Sequence, residues 1–223
     1  MRYREWSDYF YPGTTTLRNL FGERDAEALA ELERYATASQ MDRLRAHPVQ
    51  GVFDLRHFYE VHHRIFQDVY DWAGLPRQAP WLDRMTKSGP DVVNYALGDP
   101  ATPLVAYGYA PASQTEPMSL DLFTHLAQER ALVGLPLESF IGRLAHYWAE
   151  LNTIHAFREG NARAQSVFFG QLSGAAGHPL DVVQFAGNRS LREAFVAARF
   201  YARATGDEGR LATVLADAYG TTG

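Results

Sequence analysis

The chain of 223 residues contains no cysteine. That excludes a disulfide framework, a thiolate zinc site and a cysteine nucleophile, and it fits a reducing compartment. No apolar run approaches the ~18 residues that read as a membrane span. The start, MRYREWSDYF, is charged and aromatic and has no apolar signal core. A soluble cytoplasmic protein with no membrane partner is the expectation, with delivery into another cell by a signal elsewhere left open. Lysine is nearly absent: Lys87 stands alone against 20 arginines. A bias in genome composition is the simplest cause, yet it makes Lys87 worth following. There is no excess of positive charge, with 21 basic and 26 acidic residues and a net charge of -5. A broad nucleic-acid surface is therefore not expected. Walker, G-x-S-x-G and H-E-x-x-H motifs are missing as well.

What is present is a chain that can fold. Apolar residues make up 46%, enough for a sizeable core. Apolar positions recur at steps of three and four over 23–45 (Leu29, Leu32, Ala36, Leu44) and over 55–71 (Phe58, Val61, Ile65, Val69, Trp72), the second capped by Asp54. Gly74 and Pro76 stop that helix. Residues 77–90 lose the period and read as a hairpin or an extended flap. A helix of uncertain length is expected over 91–110, then one from a Ser119 cap to about 133. Leu137–Leu151 is the clearest helix, with Phe140, Ile141, Leu144, Trp148 and Leu151 on one face. Further helices are expected from Asn161 to Gly174–Gly177, over 189–204 and over 208–219. The expectation is an all-α bundle forming one domain over 1–223, with one non-helical excursion.

Chemistry concentrates where the 137–151 helix turns into the next. There the chain reads Asn152-Thr153-Ile154-His155-Ala156-Phe157-Arg158-Glu159-Gly160-Asn161-Ala162-Arg163. A helix start presents free N–H groups and the positive end of the dipole, which favour an anion. Gly160 allows close backbone approach. Arg163 can clamp a phosphate with two donors. Glu159 is a hard oxygen ligand suited to Mg2+. His155 titrates near neutrality and can take a proton from a hydroxyl. These parts make a phosphate-transfer site without a Walker loop. Taken singly, each also fits an ordinary turn.

The segment resembles the signature of the Fic family, H-P-F-x-[D/E]-G-N-G-R, and agrees at seven of its nine positions, counting the free one. YPGT at 11–14, LRN at 17–19, DVYDWAG at 68–74, Arg77, ELN at 150–152 and AGHPLD at 176–181 are similar to Fic proteins in order and spacing. The likeness covers about residues 8–190. It implies a Fic-type helical bundle with a short β-hairpin flap over the active site, and transfer of AMP from ATP to a Ser, Thr or Tyr hydroxyl of a target protein. By that resemblance His155 is the general base and Glu159 the Mg2+ ligand. Gly160 and Asn161 line the anion hole, with Ala162 beside them in the phosphate cradle. Arg163 holds the departing phosphates, and Phe157 anchors the loop. The excursion at 77–90 falls where the family has its flap, which adds a target strand to its edge. Lys87 lies in the flap's register over the site.

Two positions depart from the signature. Ala156 replaces proline and loosens one φ. Ala162 replaces glycine, which adds strain if φ there is positive and is harmless if the residue is helical. A weakened enzyme or a binding-only module stays open on this point. The family is often restrained by a helix of pattern [S/T]-x-x-x-E-[G/N], whose glutamate pairs with the motif's second arginine. Glu208-Gly209 is the sole Glu-Gly outside the motif, and it follows Ala204, with Thr205 one step too near. The resemblance then implies a toxin-like chain restrained by a separate small antitoxin protein. His57, Glu60 and His63 spell H-x-x-E-x-x-H on one helix but lack the second E-x-x-H of a di-iron site. Tyr3, Trp6, Tyr9, Phe10 and Tyr11 read as core packing.

Overall fold

The computed structural model describes residues 3–220, so the first two and last three residues of the expected 1–223 domain lie outside the described residues. The helices are α1 (Ala26–Ala46), α2 (Leu55–Phe66), α3 (Ala112–Gln128), α4 (Leu137–Ile154), α5 (Asn161–Ala175), α6 (Gln184–Gly187), α7 (Arg189–Thr205) and α8 (Gly209–Ala218). Two short strands, β1 (Thr86–Pro90) and β2 (Leu104–Gly108), form an antiparallel pair. This is the expected helical bundle with a hairpin flap.

Local chemistry sets the helix starts. Asp25 accepts from the N–H groups of Glu27 and Ala28 at 3.0 and 2.9 Å, and Asp54 from that of His57 at 2.8 Å. α2 supplies Phe58, Val61, Ile65 and Phe66 to the core, all without exposure. It packs on α5, whose Ala164, Phe168 and Leu172 are equally buried. α4 lies against α3, α5, α7 and α8, and its Phe140, Leu144 and Trp148 fill the centre. One cluster of buried apolar side chains runs from Tyr3 to Leu215. No helix among the described residues is long and apolar enough to cross a membrane.

Several expectations are corrected. α2 stops at Phe66 rather than 71, because residues 67–74 turn to bury Val69, Tyr70 and Trp72. On α1, Leu32 is exposed, while Thr37 and Gln40 point inward. α3 begins at Ala112, so Ser119 is a buried mid-helix residue and no cap. The 91–110 segment is not a helix. Asp91 accepts from the N–H groups of Val93 and Asn94, and Asp99 from that of Ala101. These Asx turns, with Gly98, Pro100 and Pro103, make a loop that leads into β2. The flap therefore joins residues on both sides of that loop, in a register that sets Lys87 opposite Tyr107 and Gly89 opposite Val105. Its inner face rests on α7: the Tyr107 ring lies 4.4 Å from that of Phe200, and Arg203 donates to the Gly108 carbonyl.

The N-terminal aromatics pack as a group. Tyr3 stacks on Tyr9 at 4.5 Å, and Tyr9 meets Trp72 edge-on at 6.0 Å. The Arg158 guanidinium lies over Trp6 at 4.0 Å and Phe10 at 5.0 Å.

Candidate active site

α4 ends on His155, which takes a left-handed conformation (φ 50°, ψ 57°) while its N–H still bonds the Leu151 carbonyl at 3.1 Å. A side chain with a Cβ pays about 1–2 kcal/mol for that geometry. Arg77 holds it there. Its Nε donates to the His155 carbonyl at 2.9 Å, its backbone N–H to Ala156 at 2.8 Å, and Nη2 to Ala110 and to Ile154. This buried guanidinium ties the end of α4 to the end of the flap, and burial pushes its pKa down to about 10.

The chain then dips inward. Phe157 is buried, with its ring 3.6 Å from that of His62 and 5.2 Å from that of Phe58. Asn161 clasps the turn: its Oδ1 accepts from the Phe157 N–H at 3.0 Å, and its Nδ2 donates to the Phe157 carbonyl at 2.7 Å. His62 supports the next residue. Its Nδ1 accepts from the Gly74 N–H at 2.8 Å, so Nε2 is the donor to the Glu159 carbonyl at 3.0 Å. That fixes one neutral tautomer. Burial, first of all, pushes the His62 pKa down to about 3.

His62 couples the stability of the fold to pH. In the unfolded chain it protonates near pH 6.5, and in the native protein only near 3. Between those values the unfolded state binds more protons, so stability present above pH 6.5 falls as pH falls, by up to about 1.4 kcal/mol per pH unit. Urea midpoints measured from pH 7 to 4 are expected to fall, and His62→Gln to make that fall shallower. An unchanged slope in the variant rules the coupling out.

Gly160 has φ +82°, and a Cβ there would lie 2.2 Å from the Phe66 ring. The glycine is thus required by backbone conformation and by packing beneath the loop. Gly160→Ala is expected to destabilise by about 2–4 kcal/mol, from left-handed strain plus overpacking. Combining it with Phe66→Leu should recover only the packing share in thermal melts. Full recovery would mean that the φ carries no cost.

α5 starts at Asn161, so Ala162 is helical and has no positive φ. This decides the question its methyl raised for the backbone, since alanine suits a helix. His155, Glu159, Gly160, Ala162 and Arg163 line one cavity of about 160 Å3, together with Lys87 from β1. Phe157 and Asn161 are buried and are not among its lining residues, so the Asn161 side chain braces the loop rather than lining the cavity as expected. Both His155 ring nitrogens are buried without a hydrogen-bond partner, and the ring sits 4.0 Å from that of Tyr109. Burial, then the charges of Lys87, Arg199 and Arg77, hold its pKa well below the usual 6.5. Glu159 Oε1 accepts from the Gly160 N–H at 2.9 Å. Arg163 reaches across to α1: Nη2 meets Glu33 Oε1 at 2.5 Å and Nη1 meets Thr37 Oγ1 at 3.1 Å. Tyr70 donates to the other oxygen of Glu33.

Sequence reasoning missed Glu33, Thr37, His62, Tyr109 and Arg199. A signal existed for His62, which lies in the row Phe58–His62–Phe66 at steps of four on an apolar face. The residues of the H-x-x-E-x-x-H pattern have separate partners. His57 meets Gln171 at 3.1 Å, Glu60 pairs with Arg64 at 2.7 Å, and His63 meets the Ala73 carbonyl at 3.1 Å. Glu208 bonds His146 at 2.9 Å.

Residues 52–172 match the model of the Fic/DOC family. A Salmonella typhimurium protein named probable protein adenylyltransferase Fic is 34% identical over 172 residues, covering 77% of this chain and 74% of that protein. A Bartonella henselae protein adenylyltransferase is 33% identical over 181 residues, covering 78% of this chain but only 31% of that longer protein. Among solved structures, the N-terminal Fic domain of a VirB-translocated Bep effector protein from Bartonella quintana, with bound ADP, superposes with a TM-score of 0.78. That match has 25% identity and covers 94% of this chain and 93% of that one. A helical bundle that carries a histidine, a carboxylate and an arginine at the head of one helix, under a hairpin, defines the class. The chain belongs to the Fic/DOC family.

Proposed function

We propose that this chain is a protein adenylyltransferase, moving AMP from ATP to a Ser, Thr or Tyr hydroxyl of a target protein. The observation that carries the reading is that His155, kept neutral by burial and nearby cations, faces the same cavity as Glu159, Gly160, Arg163 and Lys87. ADP in the Bartonella quintana relative supports a nucleotide as ligand.

The chemistry balances simply. The target hydroxyl oxygen attacks the α-phosphorus and forms the phosphoester bond. The α–β anhydride bond breaks, and pyrophosphate leaves with the electron pair. His155 takes the hydroxyl proton. The N-terminus of α5, Arg163 and Lys87 offset the negative charge on the phosphates. Asn161 and Phe157 act through the shape they give the loop. Mg2+ fits the donor set: it takes one or two carboxylates and completes its shell with phosphates and water. Glu159 is such a carboxylate, facing the cavity, and no cluster of three or more protein ligands exists among the described residues. Glu159 would hold the ion, which supplies charge neutralisation at the phosphates when bound. The open edges of β1 and β2 offer backbone groups to an extended segment of the target.

A separate antitoxin protein with an S/T-x-x-x-E-G/N helix is the restraint we infer. In its support, Glu208 is engaged by His146 and does not line the cavity. Glu33 meets Arg163 but is followed by Arg34 and lacks the flanking pattern. An apolar groove of about 930 Å3 between α1, α5, α6 and α7 runs past Arg163 and has room for a helix.

The test is incubation with Mg2+ and α-labelled ATP in a cell lysate. Label on protein that depends on the added chain and is absent with His155→Ala is the expected result. Nucleotide binding without any labelled protein would point to a binding module instead.

A further inference from the structure

Arg199 stands on α7, beyond the 52–172 stretch that matches the family model. Its side chain nevertheless lines the cavity that holds His155. Nη2 donates to Asn152 Oδ1 at 2.5 Å and to Gln165 Oε1 at 3.2 Å, and Nε is buried with no partner. Asn152 comes from the last turn of α4 and Gln165 from the second turn of α5. Both are neutral amides. They orient the guanidinium and do nothing to cancel its charge.

The contrast with Arg163 is direct. Arg163 meets Glu33 at 2.5 Å and Glu159 at 3.8 Å, so its charge is already matched. Arg199 forms no ion pair with a carboxylate among the described residues. A largely enclosed cation without a counter-charge is costly unless an anion reaches it. Its field already acts on the cavity, since it helps to hold His155 neutral. Its planar fork suits phosphate oxygens, and one edge is spent on the amides while the rest of the group borders the cavity.

We propose that Arg199 binds the phosphate chain of the nucleotide, as a buried cation of the site with no carboxylate partner among the described residues, while Arg163 is held largely by α1. This rests on the reading of the cavity as a nucleotide site. It assigns phosphate recognition to α7, a helix that also carries the flap through Phe200 and Arg203. Nucleotide binding and flap position then share one support.

The experiment titrates the full chain with ATP, inorganic triphosphate and adenosine, comparing the parent with Arg199→Gln and Arg199→Lys. Arg199→Gln is expected to weaken ATP and triphosphate at least 10-fold and leave adenosine unchanged. Arg199→Lys, which keeps the charge and loses the fork, is expected to fall between. Should Arg199→Gln not fold, the lysine variant and the salt dependence of its triphosphate binding give the same reading. Triphosphate bound equally by parent and variants overturns the proposal, as does a parent that binds neither ATP nor triphosphate. Equal loss of adenosine and triphosphate also overturns it, because that is the mark of a purely structural role. Triphosphate binding that depends on Arg199, in a protein that labels no target, upholds Arg199 and rejects adenylyl transfer.

Discussion

His155→Ala is expected to lower adenylyl transfer by about 10²–10⁴-fold, the share that a positioned general base supplies. Nucleotide binding should survive, because the phosphates are met by the α5 N-terminus and the arginines. The pH profile gives a sharper signature. Burial, Lys87, Arg199 and Arg77 depress the His155 pKa, so the ring is neutral at and below pH 7. The acid limb of kcat/KM for ATP, which reports the free enzyme, should therefore lie below pH 6.5. A bound triphosphate offsets the charges of Lys87 and Arg199, so the limb of kcat should lie higher than that of kcat/KM. A parent enzyme whose two limbs coincide at 6.5 would show that His155 does not feel this cationic wall. An alanine variant that retains the parental rate removes it as the base.

Arg77→Ala is expected to cost about 3–5 kcal/mol of stability and most of the activity. The loss strips donors from the carbonyls of His155, Ala110 and Ile154, all in a buried region where unpaired acceptors are expensive. It also frees His155 to leave its left-handed conformation, so kcat should fall even where the protein stays folded. Removing a buried charge recovers part of the cost, which keeps the estimate below the sum of the bonds. Arg77→Lys serves as the control. One ammonium cannot reach the same set of carbonyls as the fork, so the lysine variant should lose nearly as much. Chemical denaturation at 25 °C and initial rates measure the two effects. An alanine variant within 1 kcal/mol of the parent, with the parental rate, would sink the bracing role.

The candidate loop was legible because its residues are contiguous and sit at a helix boundary. His155, Glu159, Gly160 and Arg163 fall within nine positions, and capping chemistry fixes where α5 begins. The sequence alone explains Gly160 only as room for a ligand, whereas in the structure the nearest obstacle to a Cβ is Phe66. The 91–110 segment is a loop leading into β2 and not the expected helix: Val93, Tyr95 and Leu97 are exposed, and Asx turns at Asp91 and Asp99 take the backbone out of a helix. Strand pairing between Lys87 and Tyr107 spans that loop and leaves no local trace.

The amino-acid order by itself determined the helical bundle, the break at the flap and the reactive turn, because periodicity, caps and glycine act over a few residues. Only the tertiary structure decided that Ala162 is helical, that Arg77 grips the His155 carbonyl 78 residues away, that Arg163 turns to Glu33 across 130, and that Arg199 meets two amides and no carboxylate among the described residues. Those outcomes depend on which side chains meet when helices pack. A charge acquires a partner, or is left without one, only when the chain closes on itself.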